Sequence, residues 1–162
     1  MFKNNFKGKF IAIEGLDGCG STTQVSKIAS YCRKIKKSCW TTNEPTNNVI
    51  GGIIKSYLEG DLKMNSPVSL QLLFAADRAN HLEKEIMPKL KGGVNVITDS
   101  YFLSSLAYGS LEIDAQKWLY NINDQFLLPD LTILIKTSAK TSLKRIKENR
   151  TGVELFEKEE KL

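Results

Sequence analysis

The residues best suited to chemistry lie near the start of the chain, in Gly15-Leu16-Asp17-Gly18-Cys19-Gly20-Ser21-Thr22. Phosphate oxygens need several N–H donors converging on one point. Glycines let the backbone curl and present its amides without side chains in the way. The segment follows an apolar run, Phe10-Ile11-Ala12-Ile13, and precedes a helical pattern. The loop is therefore expected at a helix N-terminus, where unpaired N–H groups and the positive end of the helix dipole favour an anion. Thr22 stands where a hydroxyl can ligate Mg²⁺. The pattern G-x-x-x-x-G-K-[ST] requires Lys where this chain has Ser21.

Two further groups of residues carry chemical potential. Asp99 follows an apolar run and is expected at the carboxyl edge of a sheet, where α/β proteins bind ligands. A carboxylate there can hold Mg²⁺ or one of its waters. Phe74 and Arg78 are four apart on a predicted helix and share one face. An aromatic ring beside a guanidinium can stack a base and hydrogen-bond its edge. His81, the only His, lies on the same side and reads as a structural or surface residue. Cys19, Cys32 and Cys39 are odd in number and form no C-x-x-C pair, so they read as reduced thiols.

The elements that must position these residues alternate between apolar runs and helical patterns, which indicates a parallel α/β sheet. Strands are predicted at 10–13, 39–42, 94–98 and 131–135. Helices are predicted at 22–37, 50–58, 67–86, 103–108, 114–126 and 139–148. Ser66 is placed to cap the third helix, with Pro67 at its first position and Pro88 beyond its end. No repeat or long linker divides the 162 residues.

Composition narrows the function classes. Hydrophobic residues are 41% and charged residues 25%, as in ordinary globular proteins. No apolar run reaches the length of a membrane span, and the first residues lack the apolar core of a secretory signal. A cytoplasmic protein is expected. The formal charge of +5 suits an anionic ligand. The densest basic run, Arg33, Lys34, Lys36 and Lys37, falls where a helix should end, and no aromatic platform accompanies it. No nucleic-acid partner is expected.

From about Lys9 to Glu157 the chain resembles the thymidylate kinases, a family of P-loop nucleoside monophosphate kinases. Five segments carry the likeness. They are Phe10–Gly18, Asn43-Glu44-Pro45-Thr46, Leu73-Phe74-Ala75-Ala76-Asp77-Arg78, Asp99-Ser100-Tyr101 and Ser104-Ser105-Leu106-Ala107-Tyr108. The resemblance implies a three-layer α/β sandwich with a parallel sheet, of the P-loop NTP hydrolase type, in a single kinase domain over 8–162. It implies transfer of the ATP γ-phosphoryl group to deoxythymidine monophosphate (dTMP), with Mg²⁺, in a homodimer packed through helices. In that reading Gly15 to Thr22 cradle the donor phosphates, and Thr22 and Asp99 organise the metal. Phe74 and Arg78 hold the thymine, and Ser105 and Tyr108 lie beside base and sugar. Asp17 reaches the acceptor's sugar, and Glu44-Pro45 shapes the loop near its phosphate. Arg150 falls at the family's lid, where an arginine can close over the transferring group. Arg145 is a second arginine nearby.

Three basic positions of the family pattern differ in this chain: the loop Lys is Ser21, the Arg of Asp-Arg-Tyr is Ser100, and the Arg before Glu-Pro is Asn43. Phosphoryl transfer depends on positioning and charge stabilisation, so these changes leave a second reading open: a relative that binds the nucleotide without turnover. The family also continues past the lid with a further strand and helix, which this chain is expected to lack.

Overall fold

A computed structural model of the chain describes residues 1–149. The expected lid arginine, Arg150, lies outside the described residues.

The first strand, β1 (Phe10–Gly15), shows why the sheet is covered on both sides. Successive side chains on a strand point to opposite faces. Phe10 and Ala12 enter a core with Leu82, Ile86, Leu90, Val96, Tyr101, Phe126 and Leu127. Ile13, with Ile11 beside it, packs on the other face against Val25, Ile28 and Ile97. Glu14, in register with Phe10 and Ala12, meets the helix that carries Ser104.

The remaining elements follow in order: α1 (Ser21–Lys34), β2 (Cys39–Asn43), α2 (Val49–Glu59), α3 (Pro67–His81), a π-helical turn (Leu82–Ile86), α4 (Met87–Lys91), β3 (Asn95–Asp99), α5 (Phe102–Ser110), α6 (Gln116–Asn123), β4 (Leu131–Ile135) and α7 (Ala139–Asn149). Among the described residues the strands form one parallel sheet in the order β2-β3-β1-β4. Ile13 pairs with Asp99, which in turn pairs with Asn43, so three strand ends align at one edge. Helices cover both faces, as the alternation of patterns predicts.

The structure departs from expectation at several boundaries. The third helical stretch does not stop before Pro88. The π-helical turn carries it through, with the Met87 amide donating to the carbonyl of Leu82. A wider turn accommodates a ring that lacks an N–H and would press on the preceding turn of a regular helix. Ser66 occupies the cap position of α3, but its side chain makes no capping hydrogen bond; its carbonyl accepts from the Ser69 amide at 3.1 Å instead. Asn48, to which the sequence pattern assigns no role, is the side-chain cap of α2, accepting from Ile50 and Gly51 amides at 3.1 and 3.2 Å. The helix predicted at 114–126 is shorter than expected, because Phe126 and Leu127 leave it to enter the core.

Candidate active site

The glycine-rich loop leaves β1 and opens α1 as the motif requires. Gly18 and Gly20 have φ of 76° and 96°, a region that side-chain-bearing residues avoid. The Cys19 amide closes a turn onto the carbonyl of Leu16 at 2.9 Å. The first helical bond of α1 runs from Gln24 to Gly20, so the amides of Ser21, Thr22 and Thr23 precede it at the helix N-terminus. Arg145 on α7 donates from Nη1 to the carbonyl of Cys19 at 3.0 Å, so this arginine sits against the loop. A cavity of about 400 Å³ lies here, walled by residues of the loop from Gly18 to Gln24 and by Arg145 and Ile146.

The expected metal residues meet. Thr22 Oγ1 donates to Asp99 Oδ2 at 2.5 Å, joining the start of α1 to the end of β3. Both offer hard oxygen donors, which suits Mg²⁺. No cluster of three or more carboxylate, His or Cys ligands occurs among the described residues.

The expected acceptor residues converge as well. Asp17, Glu44, Pro45, Phe74, Arg78, Ser105 and Tyr108 all line one narrow cavity of about 90 Å³. It shares Asp17, Glu44, Pro45, Leu58 and Ser100 with a polar cleft of about 630 Å³ that also contains Ser21, Thr22 and Asp99. The cleft shares Gly18, Ser21 and Thr22 with the cavity beside Arg145. Three spaces thus succeed one another along the carboxyl edge of the sheet. Of the loop residues, Leu16 falls outside this series; it lines an apolar groove between α5, α6 and β4.

Arg78 is more tightly held than a residue waiting only for a base. It is 1% exposed. Its Nε donates to Glu44 Oε2 at 2.8 Å, Nη2 to Ser105 Oγ at 2.9 Å, and Nη1 to Asn123 Oδ1. The guanidinium carbon lies 5.0 Å from the centre of the Tyr101 ring. A buried charge must be paired and hydrogen-bonded to be tolerated, and these contacts do that. The guanidinium is therefore the polar floor of this cavity.

His81 belongs to the same network, not to the surface. It is buried, with Nδ1 at 3.1 Å from Glu44 Oε1 and Nε2 at 2.7 Å from Thr42 Oγ1. Both ring nitrogens thus have hydrogen-bond partners, one on the Glu44 carboxylate and one on the Thr42 hydroxyl. Next to Arg78 on α3, Asp77 accepts from the Thr46 amide and hydroxyl at 2.8 and 2.7 Å. Two consecutive α3 residues thus clamp the Glu44–Thr46 turn, which contains a cis Glu44–Pro45 peptide. The sequence pattern assigns no role to Asp77, Asn123 or Thr42. A signal for Asp77 is nevertheless present, since a carboxylate beside Arg78 is itself paired or exposed.

The glycine-rich loop and the narrow cavity are tied together by Tyr108 and Glu14. The Tyr108 hydroxyl accepts from the Asp17 amide at 3.2 Å. Burial, with the Asp17 carboxylate nearby, pushes the Tyr108 phenol far above its ordinary range. Glu14 accepts from the Leu103 amide at 3.1 Å and the Ser104 hydroxyl at 2.5 Å. Burial raises its pKa, and the hydrogen bonds from Ser104 and the backbone amides only partly oppose the rise.

A glycine-rich loop between strand and helix, a hydroxyl and a carboxylate meeting beside it, and a side cavity with a cationic floor define a P-loop protein suited to a phosphorylated small molecule. The family model for thymidylate kinase matches residues 13–162. A protein of Pyrococcus horikoshii named "Probable thymidylate kinase" is 41% identical over 152 residues, covering 91% of this chain and 74% of that protein. The thymidylate kinase of Prochlorococcus marinus is 38% identical over 152 residues, covering 87% of this chain and 72% of its own length. Among solved structures, thymidylate kinase from Candida albicans superposes with a TM-score of 0.79 at 26% identity, over 97% of this chain and 74% of the other. That of Ehrlichia chaffeensis superposes with a TM-score of 0.73 at 28% identity, over 87% of this chain and 83% of the other. This chain belongs to the thymidylate kinase family, whose members are phosphotransferases.

Proposed function

We propose that this protein transfers the γ-phosphoryl group of ATP to dTMP, giving deoxythymidine diphosphate and ADP. An oxygen of the acceptor's phosphate attacks the γ-phosphorus as the bond to the β,γ-bridging oxygen breaks. The observation that carries the reading is the convergence of Asp17, Glu44, Pro45, Phe74, Arg78, Ser105 and Tyr108 on one cavity that opens beside Thr22 and Asp99.

Each residue has a task in this reading. The loop amides from Gly15 to Thr22 hold the donor phosphates, with Arg145 against the loop. Phe74 stacks the base, while Arg78 and Ser105 present polar groups to its edge. Asp17 and Tyr108 border the sugar, and the clamped Glu44-Pro45 turn shapes the wall near the acceptor phosphate. Thr22 and Asp99 are the residues that would hold Mg²⁺, which when bound neutralises charge on the donor phosphates. Arg150 would supply a lid arginine. We read the chain as one P-loop domain and as a cytoplasmic homodimer. Ile53, Val68 and Leu72, exposed on the packed pair α2 and α3, support a helix-packed dimer.

A coupled assay of ADP release, with ATP, Mg²⁺ and each nucleoside monophosphate in turn, tests the reading. Turnover selective for dTMP is expected. Binding of dTMP without turnover would instead establish a non-catalytic relative, a reading favoured by Ser21, Asn43 and Ser100 all lining the cleft.

A further inference from the structure

The cleft between the acceptor cavity and the phosphate loop is where two phosphorylated molecules would meet, and its own charge is unfavourable for that. Its lining carries four carboxylates, Asp17, Glu44, Glu59 and Asp99. Glu44 is neutralised by Arg78. Uncharged Ser21, Asn43 and Ser100 stand at the positions where the family pattern is basic. Like charges a few ångströms apart in a partly desolvated cleft repel strongly, so an entering phosphate requires a cation.

Among the described residues lining this cleft there is one lysine and no arginine: Lys55, on α2. It is half-buried, and Nζ donates to Asn47 Oδ1. Asn47 is exposed and uncharged. An ammonium carries three donors and Asn47 takes one. The helix that presents Lys55 is fixed at its start by the Asn48 cap and buried against α3 through Ile54 and Leu70. Position, charge and a rigid base are therefore all provided at one point of the cleft.

We propose that Lys55 is the residue that receives the phosphate of the acceptor nucleotide, supplying charge that positions 21, 43 and 100 do not. The inference rests on the phosphotransferase reading and adds to it a specific phosphate ligand. It assigns Lys55 to the phosphate and not to the base or sugar, which makes it separable from a role in holding the fold.

The test is binding of dTMP and of thymidine, its analogue without phosphate, to the full chain by calorimetric titration or competition. Lys55→Gln is expected to weaken dTMP binding by about ten- to a hundredfold, the range of a hydrogen bond to a charged group. Thymidine affinity should stay within about twofold. Lys55→Arg should recover most of the loss, and Asn47→Ala, which removes the hydrogen bond but keeps the cation, should preserve dTMP affinity. Unchanged dTMP binding by Lys55→Gln would overturn the inference while leaving the kinase reading intact. A parallel loss for thymidine, or an equal loss in Asn47→Ala, would overturn it in favour of a purely structural lysine. A wild-type protein that binds neither ligand would overturn the kinase reading itself.

Discussion

The acceptor side and the donor side of this molecule are built by opposite means. On the acceptor side, side chains form the site: Arg78, Glu44, His81, Thr42, Ser105 and Asn123 make one buried hydrogen-bonded group beneath the cavity. On the donor side the main chain forms it, through a glycine turn and the first amides of α1, with Arg145 as a cation lining the cavity there. Side-chain networks are preorganised and exacting, since each member satisfies another. Outside Gly18 and Gly20, whose positive φ needs glycine, a backbone cradle survives substitution of the side chains it carries, because any residue but proline supplies an amide. The substitution at Ser21 falls on the tolerant side, and the retained Phe74/Arg78 pair falls on the exacting one.

The largest expected effect follows from removing the centre of the acceptor network. Arg78→Ala leaves the Glu44 carboxylate buried without its guanidinium partner and strips partners from Ser105 and Asn123. Breaking a buried pair by deleting one member costs about 3–5 kcal/mol. A corresponding fall in unfolding free energy by urea titration is expected, together with loss of dTMP binding. A loss below about 1 kcal/mol, the scale of an exposed ion pair, would mean that the network is not the exacting side. Arg78→Lys should recover little, because an ammonium cannot reproduce three divergent guanidinium hydrogen bonds.

On the donor side, a charge restored should matter more than a charge removed. Ser21 is the first residue of α1 and lines both the cleft and the cavity beside Arg145. Ser21→Lys is expected to raise kcat by about 10²-fold, the worth of one well-placed donor in the transition state. The change in unfolding free energy should be within about 0.5 kcal/mol, as for other surface positions. An unchanged kcat would show that the backbone cradle, Arg145 and the metal already supply the charge.

How much of this is legible in the sequence differs between the two sides for the same reason. The loop can be read from glycine spacing and context, because local backbone conformation is encoded locally. The meeting of Thr22 with Asp99 is reachable once the apolar runs are taken as parallel strands, since Asp99 must then stand at the loop's edge of the sheet; the strand order β2-β3-β1-β4 is not, because the apolar runs do not say which strands are neighbours. The positions of Phe74, Arg78, Ser105 and Tyr108 in one cavity come from resemblance, and the structure brings them together. The network is not legible. Nothing in the spacing says that His81 meets Thr42 and Glu44, that Asp77 meets Thr46 or that Asn123 meets Arg78, because these contacts span 31 to 45 positions. His81 reads as a structural or surface residue for that reason. The continuation of the helix through Pro88 escapes the sequence pattern because a π-helical turn has no signature comparable to a cap.

The smallest expected effect concerns Glu14, where the two sides join. Its carboxylate sits directly behind the loop and holds the start of α5, the helix that carries Ser105 and Tyr108. Burial holds its pKa above the ordinary value of 4.5, so the folded state binds this proton more tightly than the unfolded chain does. The protonated form therefore favours folding below that value. Stability is lost as pH rises from there to the raised pKa, by about 1.4 kcal/mol for each pH unit between the two. Glu14→Gln removes the titration with little change in shape: Oε1 still accepts from the Leu103 amide, and the Ser104 hydroxyl can turn to accept from Nε2. Comparing the two proteins cancels the titration of every other group. The stability of the wild type minus that of Glu14→Gln should be greatest in acid, decline as pH rises from about 4.5, and level off once the raised pKa is passed. Thermal unfolding of both proteins across that range measures it. A difference that stays constant with pH would mean that the join is as well solvated as a surface carboxylate, and the contrast between an open donor loop and a closed acceptor network would then stop short of Glu14.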